Sequence, residues 1–200
     1  MGLISNGSTI FDNGSMASGF GGSMVFIKKL TASSSATLSF VDGTDGVVLD
    51  DTYKEYVFTF NNIHPASNNK DLMFQGGASY NTPITSTMFR SLHAEADNDA
   101  SLGYTTAYDQ AQGTAFQVIS GDISGDADGS MSGSLTLFNP SSTTFVKHFI
   151  ANTNAMWFEP YSIQTFLAGY FNTTSAISQI QFKMDSGNID AGDICLYGIA

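Results

Sequence analysis

The sequence predicts an all-β protein, a jelly-roll-like antiparallel β-sandwich that follows a short Gly-rich N-terminal arm. Three observations support this class. Short segments alternate apolar and polar residues with a period of two, and Gly, Asn, Asp and Ser recur between them. No βαβ alternation and no convincing helical period interrupts them. We expect residues 1–22 to form the arm and residues 23–200 to form a single sandwich domain.

The amino half contains the clearest strand pattern. Residues 23–30 and 37–41 read as strands, and residues 53–60 (YKEYVFTF) alternate with Tyr56, Phe58 and Phe60 on one face. We expect residues 61–65 to end this strand, because Pro65 cannot donate to a ladder. We expect the aromatic face of this strand to lie against two apolar residues near the end of the chain, Phe182 and Met184.

The middle of the chain is less regular. Residues 71–78 read as a strand broken by Gly76 and Gly77, which indicates a bulge or a close backbone approach. Residues 85–96 fit either a short helix or a strand that runs into a loop, and strand or loop is favoured slightly. Residues 98–113 are too polar for a core element and are interpreted as a surface excursion, a common location for binding residues.

The carboxy half returns to strands, and the last two have the clearest pattern. Further strands are predicted at residues 116–119, 132–139, 144–152, 156–159 and 162–171. In residues 176–199, Ile180, Phe182 and Met184 alternate with polar residues, while residues 194–199 are apolar on both sides. We interpret residues 176–199 as two antiparallel strands joined by a turn, the second of them deeply buried.

The first 22 residues contain six Gly and two Asn-Gly turn signals. Such a segment has too few long apolar side chains to stabilise itself, but it can order on a partner. The residues expected to contact that partner are its larger apolar ones, Leu3, Ile4, Ile10, Phe11 and Phe20.

Charge and composition exclude two classes of partner. Only 12% of the 200 residues are charged, about half the usual share, and the formal net charge is −11. A net negative charge repels a phosphate backbone, so we expect no nucleic-acid partner. No apolar run reaches 18 residues, so we expect no membrane partner either.

Few residues indicate chemistry. Asp122, Asp126 and Asp128 have a spacing that suits a cation loop, but Ser124 stands where an EF-hand begins with Asp, so a polar hairpin loop is favoured. The three histidines are far apart, which argues against a zinc site. We found no hydrolase or nucleotide-binding motif, and we expect no catalytic residue, metal or cofactor. Among the aromatics, Tyr104 and Tyr108 are the best candidates for a ligand or partner loop.

Three segments carry a resemblance to a known family: YVFTFNNIHPASNNKDLMFQ (residues 56–75), SGSLTLFNPSSTTFVKHF (residues 132–149) and AISQIQFKMDSGNIDAGDICLYGI (residues 176–199). Together they resemble short structural proteins of tailed bacteriophages, especially marine ones. The resemblance implies a compact β-sandwich with an uncharged polar surface and a terminal Leu-Tyr-Gly-Ile strand. It implies a component of the virion, assembled in the host cytoplasm, and carries no catalytic signature.

Two hypotheses about function follow. In the first, the protein is a capsid decoration or cement protein. Its sandwich forms a homo-oligomer, expected to be a trimer, and its arm contacts the major capsid protein or another virion protein. In the second, it is a tail or fibre module that binds host surface glycans through Tyr104 and Tyr108. A glycan-cleaving enzyme is a weaker third alternative because the sequence offers no motif for it.

Overall fold

The computed structural model describes residues 3–5, 8–12, 15–16 and 23–200, and every regular element within them is a strand. The strands are β1 (Leu3–Ser5), β2 (Ser8–Asp12), β3 (Ser15–Met16), β4 (Met24–Thr31), β5 (Leu38–Val41), β6 (Glu55–Pro65), β7 (Lys70–Gly76), β8 (Ile84–Ala94), β9 (Ala100–Tyr104), β10 (Ala111–Gly113), β11 (Gln117–Ile123), β12 (Met131–Phe138), β13 (Lys147–Met156), β14 (Tyr161–Phe171), β15 (Gln179–Met184) and β16 (Ile189–Ile199).

Two antiparallel sheets packed against each other form the body of the protein, so the predicted β-sandwich is confirmed. The large sheet has nine strands in the order β10-β8-β14-β13-β12-β6-β16-β4, with β9 paired to β8. The small sheet has four strands in the order β11-β7-β15-β5. The chain crosses repeatedly from one sheet to the other, so neighbouring strands of the small sheet come from distant parts of the sequence.

The core lies between the inner faces of the two sheets and is rich in aromatic rings. Phe182 of β15 meets Phe58 and Phe60 of β6 at ring-centroid distances of 5.3 and 5.4 Å. Phe40 and Phe74, from the neighbours of β15 in the small sheet, complete the cluster. These rings are buried, and the predicted contact between the β6 aromatics and Phe182 is confirmed.

The interpretation of residues 176–199 as a hairpin is wrong. Both strands exist, but β15 pairs with β5 and β7 in the small sheet, whereas β16 pairs with β4 and β6 in the large one. The turn at residues 185–188 therefore connects the two layers. Strands β15 and β16 each have partner strands in their own sheet. The apolar residues of both strands are therefore buried although the two strands do not pair with each other.

The first and last residues of the observed strands test several other predicted segments. Residues 84–94 form β8, so the strand alternative for this segment is confirmed. Residues 98–113 are mostly exposed but include β9 and β10, which border the large sheet. The strand predicted at residues 156–159 is wrong, because Met156 ends β13 and the chain then turns into β14. The strand end expected at residues 61–65 is also wrong, because β6 continues to Pro65, with Ile63 opposite Met131 and His64 opposite Ala191.

The three strands of the predicted arm pair with one another. In this separate sheet β2 lies between β1 and β3, with Leu3 opposite Phe11 and Phe11 opposite Met16. Phe20, one of the residues expected to contact a partner, lies outside the described residues. Within the part of the chain that the structure describes, no helix is long and apolar enough to cross a membrane.

Candidate adhesion surface

The outer face of the large sheet is an open surface with very few charges. Along β13, buried residues alternate with exposed ones, and the exposed set includes His148, Ile150 and Asn152. Strand register aligns the outward residues into rows across the sheet. One row contains Thr87, Ala168, Ile150, Thr136, Val57, Tyr197 and Phe26. This row has no charged member, although the outward face of a solvated sheet is normally polar.

Exposed apolar side chains are concentrated on this face. Among residues 23–200, seven large hydrophobic side chains are exposed, and six of them lie on the outer face, Phe145 being the exception. Four form a group at one end of the sheet, which we call the groove patch: Phe89, Leu102, Tyr104 and Ile150. The other two, Met24 and Phe26 on β4, form the β4 patch at the opposite end. Exposed apolar side chains grouped in this way are candidates for an interaction site.

A shallow groove runs along the groove patch, over β8, β14 and β13. It consists of two adjoining depressions of about 430 and 350 Å³ that share Thr87, Ile150 and Ala168. The groove is open along the strand direction because the side chain at the centre of its floor, Ala168, is small. Neighbouring Gly169 also lets the strands approach closely, since a β-carbon there would meet the Phe149 ring and the Thr85 backbone.

Aromatic rings stand at both ends of the groove. At one end Phe89 and Phe166, directly opposite each other on β8 and β14, stack with ring centroids 4.8 Å apart and planes 15° apart. At the other end, His148 and Tyr170 meet edge to face at 5.8 Å. Tyr104 is opposite Phe89 on β9 and extends the first wall. Aromatic rings in such an arrangement suit contact with flat or CH-rich groups.

The polar groups that line the groove are uncharged or imidazole. Thr85 and Thr87 supply hydroxyls along β8, and Asn152 supplies an amide on β13. The amide of Gln164 donates a hydrogen bond to Asn152 Oδ1 at 3.0 Å, which leaves the other half of each amide for further hydrogen bonds. Among the residues that the structure describes, no carboxylate, ammonium or guanidinium group lines either depression.

The β4 patch lies on a free sheet edge. Within the described residues β4 pairs only with β16, so one row of its backbone N–H and C=O groups has no partner strand. Phe26 is 57% exposed and rests edge to face on Tyr197, with 5.7 Å between ring centroids. Strand β4 also follows the arm in the chain, so the β4 patch and the arm are neighbours in sequence.

The two tyrosines of the predicted ligand loop are separated by the structure. Tyr104 is 56% exposed on the outer face, and its hydroxyl donates to Asp109. Tyr108 instead packs against the core, and its hydroxyl lies 3.3 Å from Asp122 and 3.4 Å from Asp71. Burial and the nearby carboxylates raise the pKa of Tyr108. Only Tyr104 is placed to meet a ligand from solvent.

Tyr108 belongs to a polar network that joins the two layers. Arg90 of the large sheet donates to Asp122 of the small sheet at 2.5 Å, and the Arg90 guanidinium lies 5.2 Å from the centre of the Tyr108 ring. The Asp122 backbone N–H donates to Asp71 at 2.8 Å. Burial is the main reason that the pKa of Asp71 is raised. The network is a structural link between sheets.

The candidate cation loop does not gather its three aspartates. Asp122 is engaged with Arg90, whereas Asp126 and Asp128 lie in the exposed turn that follows β11. Within the described residues there is no group of three or more His, Cys, Asp or Glu side chains that could hold a metal ion. His64 bonds to the Gly129 carbonyl through Nδ1 at 2.6 Å, a structural role for this histidine.

Sequence reasoning missed the groove, although a signal for it exists. Phe89, Ile150 and Phe166 occupy positions in their strands where the alternation predicts an outward polar residue. An apolar residue at a strand position whose side chain points outward indicates an exposed apolar site. The strand order that brings these three residues together could not be read from the chain.

The fold is a β-sandwich with a wide outer face that carries exposed apolar side chains at both ends. Comparison of the chain with protein-family models, curated proteins and solved structures finds no match.

Proposed function

We propose that the protein is a structural component of a bacteriophage virion, and that it acts as a decoration or cement protein on the capsid. The observation that carries the proposal is the outer face of the large sheet, which is broad, nearly uncharged and apolar at both ends. The β4 end of this face suits lasting contact with another large surface. The resemblance of three segments to phage structural proteins adds support.

The β4 patch and the arm are the proposed contact with the shell. Met24 and Phe26 supply exposed apolar area, and the free edge of β4 supplies backbone groups that a strand of a capsid protein can pair with. Because the arm leads directly into β4, the expected contact residues Leu3, Ile4, Ile10, Phe11 and Phe20 would reach the same partner. Self-association of the sandwich as a trimer is part of this proposal.

Capsid binding by purified protein tests the proposal. Full-length protein should cosediment with capsids that lack it and raise their melting temperature, and a chain that starts at Ser23 should bind more weakly. Phe26→Ser should also weaken binding by about tenfold or more, as expected for an exposed aromatic anchor. Phe145→Ser is the matched control, since Phe145 is 68% exposed but lies in the loop between β12 and β13, far from β4 in the strand order. No capsid affinity in the full-length chain would contradict the proposal.

A second candidate function, a receptor-binding module for host surface glycans, is favoured by a separate observation. The groove patch has aromatic walls and an uncharged polar lining, and Tyr104 extends one wall. Replacing Tyr104 and Phe89 by Ala should reduce adsorption of virions to host cells without changing the melting temperature of the protein. Adsorption equal to that of the wild type would contradict this candidate.

A further inference from the structure

We propose that the groove over β8, β14 and β13 binds a neutral oligosaccharide of two or three sugar residues. This inference rests on the second candidate function above and names its site and ligand class. The groove offers what a sugar needs, because pyranose rings have apolar C–H faces and a rim of hydroxyls. Rings such as Tyr170 and Phe89 attract C–H groups through the negative charge of the π-face, and side-chain amides and hydroxyls bond the rim.

The charge of the lining selects a neutral ligand. An anionic sugar would find no ammonium or guanidinium group in the groove, and the net charge of −11 would oppose its approach. A cationic ligand would find no carboxylate there. A neutral sugar loses no charge solvation on entering, so hydroxyl and amide partners such as Thr87 and Asn152 suffice.

The backbone of the groove disfavours a peptide strand as the occupant. Strands β13 and β14 are each paired on both sides along the groove, so their N–H and C=O groups are already satisfied. An extended peptide therefore has no sheet edge to join at this site. Recognition must come from side chains, which matches a ligand whose own polar groups are hydroxyls.

The length of the groove sets the size of the ligand. Tyr170 and Phe166, which mark its two ends, are four residues apart on β14, roughly 13 Å, which accommodates about two or three pyranose rings. The two depressions join at Ala168, so a chain of sugars can pass from one to the other without a break. The small side chain at this position is the feature that keeps the groove continuous.

Titration calorimetry on the full chain tests the inference. The probes are neutral trisaccharides of glucose, mannose and N-acetylglucosamine, with uronic-acid and sialylated trisaccharides for comparison. At least one neutral trisaccharide should bind saturably with one site per chain. Ala168→Leu fills the centre of the groove from the solvent side and should weaken this binding by about tenfold or more, and Tyr170→Ala should weaken it in the same direction.

Ala100→Leu is the matched control, because it adds the same bulk on the same face at β9, outside the groove. Its affinity and its melting temperature should match those of the wild type. The inference is overturned if no neutral trisaccharide binds or if acidic trisaccharides bind in preference. It is also overturned if the Ala168→Leu variant folds and binds the trisaccharide with unchanged affinity.

Two further measurements separate this inference from the proposed capsid role. Sedimentation of the same variants shows whether the groove is instead a contact between copies. A change of oligomeric state in Ala168→Leu without sugar binding would overturn the inference. Capsid binding is measured independently with Phe26→Ser. A chain that binds capsids but no trisaccharide would contradict the groove assignment and leave the decoration proposal standing.

Discussion

Phe58 of the large sheet and Phe182 of the small sheet meet edge to face, with ring centroids 5.3 Å apart and planes at 64°. Both rings are fully buried, and each comes from the inner face of its own layer. Through this contact, the inward-facing residues of two segments that are distant in the sequence pack into one core. The core stabilises the sandwich whichever surface binds a partner.

Truncation of Phe182 should therefore be among the most destabilising single changes. Phe182→Ala removes a ring that also touches Phe40, Phe60 and Phe74, and we expect a loss of about 3–5 kcal/mol in the free energy of unfolding. Urea denaturation of Phe182→Ala and of the exposed control Phe145→Ala measures the difference. Equal midpoints for these two variants would contradict the assigned core.

Glycine at position 198, within the Leu-Tyr-Gly-Ile strand, is required by a close contact. A β-carbon at Gly198 would overlap the ring of Tyr53, which packs directly on this backbone. Gly198→Ala should thus destabilise the fold by about 1–3 kcal/mol, the usual cost of overpacking. Gly103→Ala is the control because nothing lies within 4 Å of a β-carbon there. Thermal unfolding should show a lower melting temperature only for the first variant.

Removal of residues 195–200 should prevent folding. These residues include Leu196, which is fully buried, and the part of β16 that holds β4 on one side and β6 on the other. Without it, β4 keeps only the pairing of Thr31 and Leu30 with β16, and one edge of β6 loses its neighbour from Glu55 to Thr59. We expect insoluble expression of this deletion and soluble expression when only Ala200 is removed. A soluble, cooperatively unfolding deletion protein would show that β16 is dispensable.

Stability should depend on pH through Asp71. Burial raises the pKa of this carboxyl above its ordinary value of 3.8, and the neighbouring Asp122 carboxylate adds to the shift. The folded protein then binds this proton more tightly than the unfolded chain does. Its contribution to stability is fully present below about pH 4 and is lost as the pH rises through the raised pKa.

Asp71→Asn should remove this pH-dependent contribution while keeping an acceptor for the Asp122 N–H. The difference in unfolding free energy between wild type and Asp71→Asn should shift in favour of the variant as the pH rises from about 4. Asp126→Asn, at an exposed loop position, is the control. A difference between wild type and Asp71→Asn that stays constant with pH would contradict the raised pKa.

Most strands of the two sheets could be predicted from sequence because each has its own local pattern, but β9 and β10, in a polar segment, could not. The outward and inward phases of β6 and β15 follow directly from alternation, and the contact between them was expected. Sheet membership could not be predicted, because β15 and β16 are close in sequence yet belong to different layers. The groove was missed for the same reason, since it needs the lateral order β8-β14-β13.

Tyr108 illustrates a second limit. Its neighbours in sequence are polar, which indicates an exposed loop, but its ring packs under Arg90 and its hydroxyl reaches two carboxylates from other strands. The residues that bury Tyr108 come from strands that are distant in the sequence, so no pattern near Tyr108 predicts its burial. Tyr104, four residues earlier, is exposed because β9 borders the sheet and has only β8 beside it.

Electron cryomicroscopy of the intact virion tests the central claim most directly. The account predicts density for this sandwich on the outside of the capsid, with β4 and the arm turned toward the shell and the groove over β8, β14 and β13 turned toward solvent. A virion map in which no capsid-surface density fits the sandwich would contradict it.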